Sequence, residues 1–252
     1  MKKIFYYTAF CLAVAAFSSC SKVDNYAPPS STLSGSTVDE GTGEGLQTEI
    51  GGGGTRVKLL EISYGPNPVP QYFQSKQDGT FNNTKLFAAT YKVSVEGPFV
   101  PLVRTDNSGT VVSDSSQTIT LKGSATVNFK VQPFLRVTWI GKPVLNADKT
   151  VTVQFKLARG TRDADYQQQI TDVNLYVSNT QYDGNNNYDP RYSVTQTFSS
   201  QHQTDSLLSN TLTLTTKGGA LPAQDVYFRI GARIDAGLRQ YNYSTPMSVS
   251  GL

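Results

Sequence analysis

The sequence predicts an all-β protein made of two consecutive β-sandwich domains. Charged residues make up only 16% of the 252 residues, whereas Ser, Thr, Asn, Gln, Tyr and Gly are abundant. This mixture suits strands with uncharged polar faces. Several segments alternate apolar and polar residues with a period of two, which indicates half-buried strands. The length is sufficient for two domains, each with its own core.

The amino terminus predicts a cleaved signal peptide. Two lysines precede an apolar stretch that is too short to span a bilayer comfortably. The stretch ends in Phe17, Ser18, Ser19 and Cys20, which resembles the lipobox of bacterial lipoproteins, although Leu is usual at the position of Phe17. The resemblance implies that residues 1–19 are removed and that Cys20 is acylated. An ordinary secretory signal is the alternative.

Lipidation of Cys20 would fix the location of the protein. One acyl chain gives only marginal membrane binding, whereas the two or three chains of a lipoprotein give permanent attachment. Residues 20–31 combine Pro28 and Pro29 with scattered polar side chains, and they are predicted to form a flexible stalk. We therefore expect a protein tethered to a membrane, and the lipoprotein resemblance implies that this is the cell outer membrane, with the protein exposed at the cell surface.

Composition excludes several classes of function. Cys11 lies within the predicted signal, so the exported chain keeps only Cys20, and no disulfide, cysteine metal cluster or redox site is predicted. The formal charge of +3 falls to +1 when the two signal lysines are removed, so nucleic acid is not an expected partner. No cofactor is predicted.

The predicted first domain spans residues 32–132. Three segments alternate with period two: Tyr91, Val93 and Val95; Ile119 and Leu121; and Val127, Phe129 and Val131. Asp78 and Gly79 predict a tight hairpin, because glycine readily adopts positive φ. The four glycines at 51–54 predict a flexible loop, since the Lys-Ser/Thr pair and helix of a phosphate-binding loop do not follow them.

The predicted second domain spans residues 133–252. Its strands are marked by alternating apolar residues: Val151, Val153, Phe155, Leu157, Val173, Leu175, Val177, Leu212, Leu214, Val226, Phe228, Ile230, Ala232 and Ile234. Tyr227, Arg229 and Arg233 should face away from the core, toward solvent, an ion-pair partner, an acidic sugar or a neighbouring domain. Trp139 is expected in the core.

Two sets of residues resemble known sandwich families. In the first domain they are Leu33, Val38, Asp39, Thr42, Gly43, Gly45, Leu46, Val57, Leu59, Asp78, Gly79, Phe81, Leu86, Tyr91 and Val93. This set is similar to the carboxypeptidase-regulatory-like sandwich of transthyretin (prealbumin) type, apart from an insert that carries Tyr64, Pro66, Pro68, Pro70, Tyr72 and Phe73. In the second domain Leu221, Pro222, Tyr227, Ala232, Ser244 and Pro246 resemble the closing strands of fibronectin type III (Ig-like) domains.

With its signal and stalk, the whole chain resembles a family of two-domain lipoproteins of unknown function from Gram-negative gut bacteria. The genes of that family are commonly found beside starch-utilisation-type systems for polysaccharide uptake. The resemblance implies no catalytic residue in this chain. It implies an accessory protein of such an uptake complex.

A cluster of tyrosines and asparagines is the candidate glycan site. Flat tyrosine rings can lie against the apolar face of a sugar while amides bond its rim. The candidate residues are Tyr182, Asn185, Asn187, Tyr188, Tyr192, Tyr241 and Tyr243. Because tyrosine is also common in β-sandwich cores, each of them has a structural alternative.

The same loop has a weak resemblance to a calcium loop, with oxygen-bearing side chains at alternate positions: Asp183, Asn185, Asn187 and Asp189. Tyr188 occupies the place where an EF-hand needs Gly, and Val194 occupies that of its bidentate Glu. These residue types also favour ordinary turns. The calcium prediction is therefore secondary, and no metal site is expected.

The sequence favours binding over catalysis. His202 is the chain's single histidine, and no hydrolase or metalloprotease motif accompanies it. We expect a lipid-anchored protein that holds polysaccharide for an outer-membrane uptake system. The alternative is a structural or adhesive lipoprotein, acting as a spacer or by strand exchange.

Overall fold

The computed structural model describes residues 27–250, which form two β-sandwiches joined end to end and one short α-helix. The prediction of an all-β protein with two sandwiches is confirmed. The predicted signal peptide and Cys20 lie outside the described residues. Among residues 27–250, no helix is both long enough and apolar enough to cross a membrane.

The first sandwich packs a three-stranded sheet against a four-stranded sheet. The three-stranded sheet has the order β4-β1-β9, with β1 (Ser31–Asp39), β4 (Thr80–Leu86) and β9 (Ser124–Val131). The four-stranded sheet has the order β3-β2-β5-β8, with β2 (Arg56–Glu61), β3 (Gln71–Gln74), β5 (Ala89–Glu96) and β8 (Gln117–Leu121). Strands β6 (Val103–Thr105) and β7 (Val111–Asp114) form a separate ribbon. Strands β1 and β9 run parallel, and the other pairs are antiparallel.

Period-two alternation builds the core of this sandwich, as predicted. In β9 the side chains of Val127, Phe129 and Val131 are buried, and the residues between them are exposed. Val93 and Leu59 meet them from the opposite sheet. Burying each such side chain contributes about 1.5–3 kcal/mol.

The predicted hairpin at Asp78 and Gly79 is a turn, but it does not join paired strands. Gly79 has a φ of +81°, as expected. However, β3 and β4 on either side belong to different sheets. Phe73 and Phe81 pack edge to face with centroids 6.0 Å apart, so the partly buried ring of β3 contacts the buried ring of β4 across the two sheets.

The second sandwich also has two sheets. In one, β12 (Val151–Arg159) pairs with β10 (Leu135–Trp139), β11 (Val144–Leu145) and β15 (Leu212–Thr215). In the other, β13 (Ile170–Ser178) lies between β14 (Val194–Thr197) and β16 (Val226–Ile234), and β16 also pairs with β17 (Asn242–Tyr243) and β18 (Met247–Val249). Phe155 and Phe228 lie in the shared core, and Trp139 packs against it, partly buried.

The sequence did not predict the helix α1 (Gln201–Ser209) between β14 and β15. Ser200 and Gln203 form a capping box that satisfies its first free N–H groups. Leu207 packs into the second core, and the Thr204 hydroxyl accepts a 2.8 Å hydrogen bond from the N–H of Ile170. His202 lies exposed on this helix.

Candidate functional site

The loop that carries most of the predicted glycan residues connects β13 to β14 and has a fixed conformation. Gly184 and Asn187 exchange two backbone hydrogen bonds of 3.1 Å, which close a tight turn. The Asn187 amide donates to the Thr180 hydroxyl and to the Tyr182 carbonyl. The N–H of Asp189 then rejoins the sheet at the Val177 carbonyl. We call residues 182–192 the tyrosine loop.

One face of the tyrosine loop borders a cleft of about 450 Å³, which we call the tyrosine cleft. Three predicted residues, Asn187, Tyr188 and Tyr192, line it. The opposite wall comes from Leu221 and Pro222, just before β16. Apolar rings with a polar rim form the kind of surface that binds a neutral sugar.

The rim of the cleft carries an exposed ion pair. Arg191 Nη2 and Asp189 Oδ2 are 2.7 Å apart, and the Arg191 side chain is 74% exposed. Hydrogen bonding from Arg191 lowers the pKa of the Asp189 carboxyl below its ordinary value. The guanidinium also lies 5.2 Å from the Tyr192 ring centroid, which fixes the ring that it borders.

Tyr188 rests on a buried group of tyrosines. Its ring is 43% exposed and lies 5.5 Å from the ring of Tyr176. Tyr176 is buried and contacts Tyr241 and Tyr243 at 6.1 Å and 5.9 Å. Tyr241 and Tyr243 are only 9% and 6% exposed, so they lie beneath the exposed surface. The pairing of Tyr243 with β16 turns its ring inward, and both rings pack against Tyr176; they support Tyr188 through Tyr176 and do not line the cleft.

Tyr182 and Asn185 lie on the same loop but do not line the cleft. Tyr182 is 50% exposed. Asn185 accepts a long 3.4 Å hydrogen bond from the Tyr176 hydroxyl, and its N–H donates to the Tyr243 oxygen. The tyrosine loop therefore presents Tyr182 and Tyr188 at separate surfaces.

The four calcium candidates differ in their surroundings. Asp183 is fully buried, Asp189 pairs with Arg191, and Asn187 is bound within the loop. In residues 27–250 no group of three acidic, histidine or cysteine side chains could hold a metal ion. The alternating spacing also suits turn formation, which these residue types favour.

The back of the tyrosine loop forms a polar network with the first domain, and this network centres on Arg229. Its guanidinium donates to three carbonyl oxygens, those of Ser244 at 2.9 Å, Asp183 at 3.1 Å and Thr48 at 3.0 Å. The side chain is 1% exposed and lies 4.2 Å from the Tyr243 ring centroid. Burial lowers its pKa below the ordinary value. Arg229 therefore joins three segments, one of which belongs to the first domain.

Glu49 is the first domain's main contribution to this network. Its carboxylate accepts a 2.6 Å hydrogen bond from the Tyr243 hydroxyl and bonds of 3.3 Å and 3.0 Å from the N–H groups of Asn186 and Ile50. Glu49 is 2% exposed. Burial and the nearby Glu49 charge raise the pKa of Tyr243 well above its ordinary value.

Asp183 is the incompletely paired member of the network. Both of its carboxylate oxygens are buried without a hydrogen-bond partner. Burial raises the pKa of Asp183 to about 7, against the opposing effect of Arg229. At neutral pH the carboxyl is therefore close to its midpoint, next to a fixed positive charge.

The glycine loop of the first domain docks onto the second domain. The Asn186 amide donates to the carbonyls of Ile50 at 2.8 Å and Gly52 at 2.6 Å, and the Gln240 amide donates to that of Gly54 at 2.8 Å. The sequence predicted a flexible loop here. The structure instead uses its accessible carbonyls as interface acceptors.

Further contacts extend the interface. Arg136 forms a bidentate salt bridge with Asp39, in which Nη2 donates to Oδ1 at 2.7 Å. Hydrogen bonding from Arg136 to Asp39 raises the pKa of Arg136. The Asn242 amide donates to the Pro98 carbonyl at 2.9 Å.

The sequence correctly predicted that Arg229 lies on the outer face of its sheet, but it could not distinguish between contact with solvent, a ligand or the other domain. It gave no signal for Glu49.

Comparisons with known proteins agree with this two-domain architecture. A family model described as the N-terminal domain of a protein of unknown function (DUF3823) matches residues 31–132, and a domain of unknown function (DUF3823_C) matches residues 141–248. No curated protein matches the chain.

Several solved structures share the fold. A DUF3823 family protein from Bacteroides uniformis is 33% identical, with a TM-score of 0.82, over 89% of this chain and 100% of that one. A candidate carbohydrate-binding protein from Bacteroides uniformis is 24% identical, with a TM-score of 0.67, over 88% and 99% of the two chains. A DUF3823 family protein from Parabacteroides merdae is 23% identical, with a TM-score of 0.65, over 89% and 100%.

Proposed function

This chain belongs to the DUF3823 family, and from that premise we propose that it is a lipid-anchored accessory protein of the cell envelope that binds polysaccharide for an outer-membrane uptake system. The family membership confirms the two-domain resemblance found in the sequence. In this proposal the protein binds polysaccharide and does not cleave it.

The observation that carries the proposal is the tyrosine cleft. Tyr188 presents nearly half of its surface beside Tyr192, and Asn187 and the Asp189–Arg191 pair form the rim. Sugars bind where an apolar ring face is bordered by hydrogen-bonding groups. The structural relative named as a candidate carbohydrate-binding protein supports polysaccharide as the first ligand class to test.

The buried network behind the cleft supports a binding role. Tyr188 packs on Tyr176, which packs on Tyr243, and Tyr243 is fixed by Glu49 of the first domain. A binding surface that is ordered before the ligand arrives loses less entropy on binding. An anchor would also concentrate a weak site beside a transporter, so modest affinity is sufficient.

Affinity electrophoresis of the mature protein through gels that contain different plant and host polysaccharides tests the proposal. We expect retarded migration in at least one gel, with no sugar released into solution. Uniform migration of a well-folded protein across a broad panel would contradict binding, and released oligosaccharides would indicate an enzyme.

The spacer function is the second candidate, and the interface itself favours it. A buried network that fixes two sandwiches end to end makes a stiff unit. Strand exchange would further require concentration-dependent oligomers, which sedimentation velocity would detect. A strict monomer that binds glycan favours the first function.

A further inference from the structure

The two ends of the first sandwich have different surroundings. Strand pairing places Ser31 beside Leu86, Glu61 beside Tyr91, and Ala89 beside Leu121. The start of β1, the loop of residues 62–70, and the short connections at residues 87–88 and 122–123 therefore lie at one end. We call this end the stalk pole, because the described chain enters the domain there.

The second domain attaches at the opposite end. Parallel strands β1 and β9 both begin at the stalk pole, and they end at Asp39 and Val131. Asp39 pairs with Arg136, and Thr48, which follows β1, accepts from Arg229. The interdomain interface is thus one strand length away from the stalk pole, roughly 25 Å for eight residues.

Exposed apolar side chains gather at the stalk pole. Tyr64 is 86% exposed, Val69 79% and Phe87 52%. Tyr64 and Phe87 also line a cavity of about 570 Å³, together with the first described residues of the chain, Ala27 to Ser31. The aromatic surface and the entry of the stalk are therefore adjacent.

The length of the stalk limits what this surface can meet. If Cys20 carries the anchor, six residues separate it from Ala27, and even a fully extended segment from Cys20 to Ala27 reaches only about 25 Å. Tyrosine and other amphipathic aromatic side chains prefer the boundary between water and acyl chains. Exposed Lys85 and Lys122 near the same end would favour acidic headgroups, whereas Glu61 there is bonded to Ser63.

We propose that the stalk pole is a membrane-contacting surface, at which Tyr64 and Phe87 lie among the lipid headgroups of the bilayer that holds the anchor. This inference rests on the anchor of the proposed function. It adds an orientation: the first domain contacts the membrane, and the second domain, with the tyrosine cleft, lies farther from the membrane.

Fluorescence quenching in vesicles tests the contact. The full chain with its own anchor is reconstituted into phosphatidylethanolamine and phosphatidylglycerol vesicles with brominated acyl chains. A bimane probe is attached at Gly65→Cys, where an added Cβ meets open space, or at Val144→Cys, an exposed position in the second domain. Relative to the same vesicles without bromine, we expect loss of fluorescence at position 65 only, and disappearance of this bromine-dependent loss in the Tyr64→Ser/Phe87→Ser variant.

Flotation of the same vesicles separates the two proposals. Protein that does not float shows that the anchor, and with it this part of the proposed function, is wrong. Protein that floats with an unquenched probe at position 65 overturns the membrane contact alone. Quenching that persists in the double variant, or that disappears when the protein is diluted in lipid, also overturns it, because the tether alone or a second copy would then explain the signal.

Discussion

The hydroxyl of Tyr243 in the second domain donates a 2.6 Å hydrogen bond to Glu49 Oε2 in the first domain. Both side chains are buried, at 6% and 2% exposure. A buried carboxylate is costly unless it is hydrogen-bonded, and two of the donors to Glu49, the Tyr243 hydroxyl and the Asn186 N–H, come from the second domain. The two sandwiches therefore share a polar core in addition to their separate apolar cores.

Replacing Arg229 should cause the largest loss of stability in this network. Arg229→Met leaves three buried carbonyls without their donor and removes the positive charge beside Asp183. We expect the free energy of unfolding in urea to fall by about 3 kcal/mol or more. The matched control, Arg162→Met on an exposed position, should change it by less than about 0.5 kcal/mol. Equal effects of the two variants would show that the network does not stabilise the protein.

A double-mutant cycle measures the interdomain bond itself. Tyr243→Phe removes the donor, and Glu49→Gln removes the charge of the acceptor. Residues in direct contact couple by about 0.5–3 kcal/mol, so the double variant should lose less stability than the sum of the single variants. Strict additivity in urea unfolding would indicate that the two groups do not interact in solution.

Asp183 should make stability depend on pH. Burial raises its pKa to about 7, above the ordinary value of 3.8, so the folded state retains a proton that the unfolded state has lost between these pH values. Its contribution is complete below the ordinary pKa and decreases as the pH rises toward the raised one. The free energy of unfolding falls over this range by about 1.4 kcal/mol for each increase of one in pH.

Asp183→Asn removes this dependence. The stability of the variant relative to the natural protein should increase from pH 4 to pH 7 and then level off, as measured by urea unfolding at each pH. A constant difference across that range would mean that Asp183 titrates normally.

Substitution of the predicted lipidation site tests the lipid anchor. Cys20→Ala should abolish incorporation of labelled palmitate and release the protein from the membrane fraction, because the cysteine thiol is the acceptor of the lipid. The control is Cys11→Ala, which lies within the predicted signal and should keep its label. Labelling that survives Cys20→Ala would exclude this anchor.

Local sequence patterns were sufficient to predict the strands but not the contacts between the two domains. The alternation in β16 correctly places Phe228 and Ile230 inward and Arg229 outward, because side-chain direction depends only on the period of a strand. The first-domain partner of Arg229 is Thr48, 181 positions away in sequence, and no local signal joins them. Arg233 on the same face pairs instead with Asp172 of its own sheet.

The tyrosine loop likewise shows which features could be predicted from the sequence and which depend on tertiary contacts. The composition of residues 182–192 predicted an exposed aromatic loop, and Tyr182 and Tyr188 are indeed exposed. Tyr241 and Tyr243 have the same residue type but are buried, because both pack on Tyr176 and Tyr243 is also paired with β16 and bonded to Glu49 of the first domain. Residue type predicted the class of surface, whereas tertiary contacts decided which rings reach it.

Binding by matched tyrosine variants is the most direct measurement of the proposed function. Tyr188 in the tyrosine cleft and Tyr72 in the first domain are 43% and 42% exposed, so truncation of either removes a similar exposed ring. In affinity electrophoresis with a polysaccharide that retards the natural protein, we expect Tyr188→Ala to weaken binding at least about fivefold, since truncating a central contact costs more than about 1 kcal/mol. Tyr72→Ala should migrate like the natural protein. Equal retardation of both variants and the natural protein would contradict a glycan site at the tyrosine cleft.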